Sequence, residues 1–338
     1  MNIAENISLR HFNTFGIDVT AAFFTEIFSL YELKEALEFA KAKEFPVLVL
    51  GGGSNVLFTQ DFNGLVIKNS IGGINIIKED GEQVYINVGG GVVWHEFVLF
   101  CLQNNYAGVE NLALIPGCAG ASPMQNIGAY GVEIKEVFYE LNALNRFDLA
   151  EQKFNNTACE FGYRESVFKN KYKEQFVITD VTYRLNKTPH FKVEYGAIRQ
   201  QLEKDNIKEL TIRAIANAVI AIRSSKLPDP KVIGNAGSFF KNPSVLLPEF
   251  QVLKEKFPQV IAYPNHDGTM KIAAGWMIEQ CGFKGMRRGD AGVHNKQALV
   301  LVNYGVAKGN EILQLCQEIQ ATVFEKFAVE IMPEVNII

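Results

Sequence analysis

The run Ile115-Pro-Gly-Cys-Ala-Gly-Ala-Ser-Pro-Met-Gln-Asn-Ile-Gly-Ala-Tyr-Gly131 decides how this chain is read. It holds four glycines (Gly117, Gly120, Gly128, Gly131) and no charged side chain. Glycine admits positive φ and lets backbone approach a ligand closely. The polar atoms that remain are the backbone amides and the side chains of Ser122, Gln125, Asn126 and Tyr130. A loop of this kind suits a phosphate held by amide donors better than it suits a packed core. A second glycine run, Gly51-Gly-Gly-Ser-Asn55, lies far upstream. Taken alone it reads equally as a tight turn between strands. Taken with the first, it points to one large cofactor held between two loops.

The pattern around these loops is mixed. Ala22 to Phe28 is apolar and β-prone. Ser29 then caps a helix, with Glu32 set to complete a capping box and Leu30, Leu33, Leu37 and Ala40 on its buried stripe. Pro46 to Leu50 is a buried strand, so the segment reads as a βαβ unit opening an α/β layer. After Gly51-Gly-Gly the chain enters further strand (Val56–Phe58, Leu65–Ile67) and not a helix. A dinucleotide fingerprint needs a glycine loop that opens a helix. Neither GxGxxG nor GK[ST] occurs, so the Rossmann and P-loop readings are both poor. Strands are expected at Ile74–Ile77, Val84–Val88, Val137–Leu144, Phe176–Leu185, Gly237–Lys241, Ala298–Asn303 and Glu330–Ile338. Helices are expected at Trp94–Leu102, Lys208–Arg223, Pro248–Phe257, Ala273–Gln280 and Lys308–Phe327. The class is α+β.

Composition narrows the function. The 338 residues allow two or three domains. A net charge of −4 argues against nucleic acid as a partner. Five scattered cysteines without CxxC spacing argue against a disulfide framework and a zinc site. The histidines (His11, His95, His190, His266, His294) form no ligand pattern, and no metal is expected. No signal peptide is read, and no apolar run approaches the roughly 20 residues that span a bilayer. The cytoplasm is the expected compartment, with no membrane partner. A monomer is expected, since no amphipathic heptad run appears.

Three further stretches carry chemistry. Phe161-Gly-Tyr-Arg-Glu-Ser-Val-Phe168 sets Arg164 among aromatics, either as a structural Arg–Glu pair or as a fork for a ligand carboxylate. In Gly234-Asn-Ala-Gly-Ser-Phe-Phe-Lys-Asn-Pro243, Ser238 is expected to sit among apolar groups, as a strand-capping residue or as a proton donor in a dry pocket. Its spacing does not fit a GxSxG elbow. Arg223-Ser-Ser-Lys-Leu-Pro-Asp-Pro230 places Arg223 and Lys226 at a helix C-terminus, where they complement the helix dipole or neutralise a diphosphate. Glu334, in Met332-Pro-Glu-Val335, reads on residues alone as an exposed edge.

Together these runs resemble the UDP-N-acetylenolpyruvoylglucosamine reductases, bacterial flavoenzymes of peptidoglycan precursor synthesis. The resemblance covers nearly the whole chain. It runs from Leu9-Arg-His-Phe-Asn-Thr-Phe-Gly16 through both glycine loops, Tyr163-Arg164, Lys226–Pro230, Gly234–Pro243, Ala274–Glu279 and Gly292–His294 to Pro333-Glu-Val335. It implies a vanillyl-alcohol-oxidase-type FAD-binding fold of two α/β subdomains plus a third, substrate-closing α+β domain. The expected division is 1–70, with 330–338 returning to it, then 71–222 and 223–329.

The implied reaction is NADPH-dependent reduction of UDP-N-acetylglucosamine enolpyruvate to UDP-N-acetylmuramate through noncovalent FAD. That reaction serves cell-wall biogenesis, cell shape and cell division. Hydride goes from the flavin to the vinyl carbon, and charge develops on the enolpyruvyl carboxylate. By resemblance, Arg164 stabilises that charge. Glu334 contacts the same region, acting protonated or by ordering a hydrogen-bonded network, and Ser238 donates the proton. The flavin would lie against Gly51, Gly52, Gly53, Ser54 and Asn55 of one loop. From the other loop it would meet Pro116, Gly117, Gly120, Ala121, Ser122, Gln125, Asn126, Gly128, Ala129, Tyr130 and Gly131. The sugar nucleotide would meet Tyr163, Tyr195, Arg223, Lys226, Asn242 and Gln297. Pro189 to Tyr195 is similar to the substrate-covering loop of the family's type I branch, within 189–200. The rival is an FAD-dependent sugar or lactone oxidase of the same fold, which would lack Ser238 in its motif and the terminal Glu334.

Overall fold

A computed structural model describes residues 1–265 and 267–338. His266 lies outside the described residues. The chain divides into two compact units. The first comprises Met1–Ile7, Ala21–Gly52 and Asn63–Ser225, and the second comprises Ser8–Thr20, Gly53–Phe62 and Lys226–Ile338.

In the first unit the helix Leu30–Ala42 starts where a serine stops the preceding strand. Ser29 Oγ accepts from the Glu32 N–H at 3.2 Å. The Glu32 carboxylate turns back one residue further than a capping box requires and accepts from the Phe28 N–H at 2.6 Å. Leu33, Ala36, Leu37 and Ala40 form the buried stripe, packed with Ile27, Leu65, Ile67, Leu144 and Val177. The sheet beside it has the order Ala4–Ser8, Thr20–Ile27, Phe62–Asn69, Val47–Leu50. The strand Phe62–Asn69 therefore lies between the two strands of the expected βαβ unit. It pairs in parallel with Val47–Leu50, with Val47 opposite Leu65.

A second sheet is wholly antiparallel, in the order Glu151–Asn155, Phe138–Asn145, Phe176–Asn186, Gln83–Gly89, Ile74–Glu79. Alternation sends Val84, Ile86 and Val88 to one face. There they meet the helix Trp94–Gln103 and the helix Ile212–Lys226 in one core. Trp94, Phe97 and Tyr183 form its aromatic centre, with Phe97 and Tyr183 stacked at 4.8 Å. The second helix starts later than the Lys208 expected from periodicity. Thr211 Oγ1 accepts from the Ala214 N–H at 3.0 Å and caps it, which leaves Leu210 exposed outside the helix.

The second unit has a four-stranded sheet in the order Gly234–Asn235, Leu301–Asn303, Ala291–Val293, Arg287–Arg288. The long helix Gly309–Phe327 buries Ile312, Leu315, Cys316, Ile319, Val323 and Phe327. A smaller sheet orders Ser244–Val245, Met270–Ile272 and Ala262–Pro264. Three expected strands are shorter than their apolar runs, and that over 298–303 narrows to Leu301–Asn303 because the Val300 N–H donates to the Gln297 carbonyl in a turn. Gly237, at φ 71°, turns the chain out of the ladder, so only a bridge from Phe240 to Pro333 replaces a strand over 237–241. The terminal run narrows to Asn336–Ile337, which pairs in parallel with Val56–Leu57. Pro333 has no N–H for a continuous ladder. Among the described residues no helix is long and apolar enough to cross a membrane.

Candidate functional site

In the first unit Gly51 and Gly52, the start of the upstream run, touch the loop 115–131 some 65 residues on. A Cβ placed on Gly52 would lie 3.1 Å from the Gly117 Cα, so a larger residue at 52 would push the two loops apart. Cys118, buried beneath them, rests against Gly51. Burial pushes its thiol up, opposed by the nearby Lys68 ammonium. The ladder beneath is completed by a third run, Gly89-Gly-Gly91. The Gly120 N–H donates to the Gly90 carbonyl at 3.0 Å, the Ala119 N–H to Val92 at 2.8 Å, and the Trp94 N–H to Gly117 at 2.9 Å. Sequence reasoning passed over that third run as a strand end. Its signal was there, three consecutive glycines after an alternating strand.

The side chains of the long loop mostly serve the loop itself. Ser122 is buried and its hydroxyl is 2.7 Å from that of Tyr183. Asn126, at φ 43°, donates to Glu133 Oε2 at 3.1 Å and to the Gly162 carbonyl at 2.9 Å, and accepts from the Lys135 N–H at 3.1 Å. Toward solvent stand Gly52, Pro116, Ala121, Met124 and Gly131. Two touching loops that carry no carboxylate and present open backbone fit a diphosphate-bearing cofactor such as FAD.

Tyr130 closes the loop at its far end and gathers several expected substrate residues. It sits at φ 51°, its hydroxyl lies beside the Arg223 side chain, and its ring meets Tyr195 edge-on at 5.3 Å and 88°. Burial pushes the Tyr130 phenol up. Arg223 is held down by burial, and the charge of Arg164 acts in the same direction. Its Nε donates to the Leu114 carbonyl at 3.2 Å, so its guanidinium serves the loop and not the end of its own helix. The Leu114 N–H donates to His95 Nδ1 at 3.0 Å. His95 is kept below its ordinary value by burial and by Arg223. Arg164 occupies a tight turn at φ 56°, flanked by the bridge from Gly162 to Glu165, a sparsely populated conformation for a residue with a Cβ. Tyr163 and Tyr195 are exposed, as is Lys226 at the end of its helix.

In the second unit Gly234 lies so close to Phe15 that a Cβ would fall 2.2 Å from its carbonyl oxygen. The next turns are fastened by backbone. The Asn235 N–H donates to Thr14 at 3.0 Å, the Phe239 N–H to Leu299 at 2.7 Å, and the Lys241 N–H to Met332 at 2.9 Å. The Glu334 N–H donates to the Phe239 carbonyl at 2.8 Å. Ser238 and Glu334, 96 positions apart, thus stand on paired segments. Phe239 and Phe240 are buried but Ser238 is exposed, contrary to the apolar surroundings expected for it. The physical reason is the turn at Gly237, which sends both aromatic rings inward and leaves the serine outside. Asn55 Nδ2 donates to the Glu334 carbonyl at 3.3 Å. Asn242 Oδ1 accepts from the Ala274 N–H at 3.0 Å, and Gln297 Oε1 from the Leu299 N–H at 3.3 Å.

Comparison with known proteins gives the following. Residues 229–338 match the C-terminal domain of UDP-N-acetylenolpyruvoylglucosamine reductase, and residues 22–145 match an FAD binding domain. The chain is 51% identical to the UDP-N-acetylenolpyruvoylglucosamine reductase of Flavobacterium johnsoniae, covering 100% of both chains. It is 47% identical to that of Pseudomonas putida, covering 98% of each. Its fold is that of the UDP-N-acetylenolpyruvylglucosamine reductase from Thermus caldophilus, with a TM-score of 0.69 at 23% identity over 100% of this chain and 99% of the other. A 6-hydroxy-D-nicotine oxidase from Arthrobacter nicotinovorans shares the fold more distantly, with a TM-score of 0.52 at 12% identity over 92% and 81%.

Proposed function

The chain belongs to the UDP-N-acetylenolpyruvoylglucosamine reductase family, and from that premise we infer that it reduces UDP-N-acetylglucosamine enolpyruvate to UDP-N-acetylmuramate at the expense of NADPH. It is an FAD-dependent oxidoreductase of peptidoglycan synthesis. FAD, when bound, would supply the hydride chemistry that links NADPH to the vinyl carbon of the substrate. The glycine runs 51–55 and 116–131 hold the cofactor through backbone amides.

Arg164 offers a fixed positive fork where charge develops on the enolpyruvyl carboxylate, a contribution that grows toward the transition state. Ser238 delivers the proton to the carbon that hydride leaves anionic, and Glu334 holds that region in order. The supporting observation is the pairing of their two segments, in which the Glu334 N–H donates to the carbonyl next to Ser238. Tyr163, Tyr195, Arg223, Lys226, Asn242 and Gln297 grip the sugar nucleotide. We retain the division 1–70, 71–222 and 223–329, with a covering loop near 189–200. The enzyme works as a cytoplasmic monomer.

An anaerobic absorbance trace tests this. NADPH should bleach the flavin band, and the enolpyruvyl UDP-sugar should restore it without oxygen. Restoration by air alone would place the chain with the oxidases. Two substitutions sharpen the roles. Arg164→Ala should slow reoxidation far more than bleaching, and an unchanged rate would make the arginine structural. Lys226→Ala should raise KM for the UDP-sugar; a change in stability alone would leave it a helix-end residue.

A further inference from the structure

We infer that Asn111 is a positioning residue that ties the glycine-rich loop to the segment carrying Tyr195. Asn111 sits in a short 3-10 turn, Glu110–Leu112, and is only 1% exposed. Its amide has two N–H donors. One donates to the Tyr130 carbonyl at 3.1 Å and the other to the Lys192 carbonyl at 2.9 Å. Both donors are therefore spent, and on two segments that are 62 residues apart (130 against 192) and otherwise meet through the rings of Tyr130 and Tyr195.

Tyr130 is the joint at which these ties meet. Its carbonyl is held by Asn111, its hydroxyl lies beside Arg223, and its ring meets Tyr195. Arg223, half-buried, also donates to the Leu114 carbonyl, so one side chain meets both ends of the loop 115–131. Leu114 and Tyr130 both have left-handed backbone, at φ 59° and 51°. Non-glycine residues hold that conformation when their surroundings over-determine it. On the other side the 189–195 segment is held by Arg199, whose Nε donates to the Val193 carbonyl at 3.1 Å, but that side chain is exposed. Asn111 is the buried anchor. Placing Tyr195 is then a property of the cofactor loop, transmitted through one amide group.

The inference rests on Tyr195 gripping the sugar nucleotide, and the test keeps the two apart. Hydrogen–deuterium exchange of the intact flavoprotein, without substrate, is compared with that of Asn111→Ala. Faster exchange within 189–196 and 128–131 is expected, together with a KM for the UDP-sugar raised about tenfold and flavin reduction by NADPH unchanged. Unchanged exchange in both segments overturns the tie. Faster exchange with an unmoved KM overturns its role in positioning Tyr195. A wild-type protein that bleaches with NADPH but does not turn over the UDP-sugar would refute the proposed reaction while leaving the exchange result to decide the tie. Should Asn111→Ala not fold, Asn111→Ser carries the same measurement, since one hydroxyl can donate to only one of the two carbonyls.

Discussion

The loop 115–131 and the segment 234–243 are both rich in glycine and both are braced by asparagine side chains, yet they place their serines in opposite ways. In the loop, side chains are committed to the protein. Ser122 meets Tyr183, and Asn126 binds Glu133, Gly162 and Lys135, while the amides of Ala119, Gly120 and Ala121 are held by the protein as well. In 234–243 the backbone is committed, to Thr14, Leu299 and Met332, and the Ser238 side chain is left outside. A loop that binds phosphate needs rigid amides, so its side chains brace it. The proton transfer proposed for Ser238 needs a free hydroxyl, and there the main chain braces the segment. The same residue type, serine, has opposite meaning in the two places.

The sharpest way to break this contrast is to delete both serines and read rate and stability separately. Ser238→Ala should slow flavin reoxidation by the UDP-sugar by roughly 10²–10⁴, the range for loss of a general acid, with flavin reduction and melting temperature little changed. Normal turnover would remove its role. Gly234→Ala comes next, because its Cβ would fall 2.2 Å from a backbone oxygen. It should cost about 1–3 kcal/mol or more in urea unfolding as overpacking, and a neutral result would mean that the segment shifts freely.

Ser122→Ala should do the reverse of Ser238→Ala. It leaves the buried Tyr183 hydroxyl with the Ala119 carbonyl as its remaining partner, 3.2 Å away. The expected cost is about 1 kcal/mol in stability with a turnover rate close to wild type. A large loss of rate without loss of stability would show that the loop also works through this side chain.

The smallest effect concerns pH. Burial and then Arg223 hold the His95 imidazole below its ordinary value, and Glu96 opposes them weakly. The unfolded chain takes up that proton near pH 6.5. Stability is therefore fully present above that pH and is lost as pH falls from there toward the lower value of the folded protein. His95→Gln should flatten the fall in urea midpoint below about pH 6.5. An equal slope in both proteins would show that His95 does not contribute.

Much of this was legible in the chain. The Ser29 cap, the stripe of Leu33, Leu37 and Ala40 and the alternation of Val84, Ile86 and Val88 are short-range patterns, and the structure has them. Both glycine loops and the family membership were also legible, because they reside in contiguous motifs. The missed boundaries are local as well. Thr211 caps a helix that periodicity alone would begin earlier, and Gly237 ends a strand that apolar content alone would continue.

By itself, then, the sequence determined the α+β class, the absence of a dinucleotide fingerprint and the two glycine runs. All of these are set by spacing within a few residues, where propensity and period act. Only the tertiary structure decided that Gly52 closes on Gly117, that Asn111 joins Tyr130 to Lys192, that Arg223 spends its Nε on Leu114, and that Glu334 pairs beside Ser238. Each of these depends on hydrogen bonds or close packing between residues 65 to more than 90 positions apart, or on one buried amide whose role is defined by the two carbonyls it meets. Neither has a local signature, because a long-range contact leaves no periodicity in the chain that makes it.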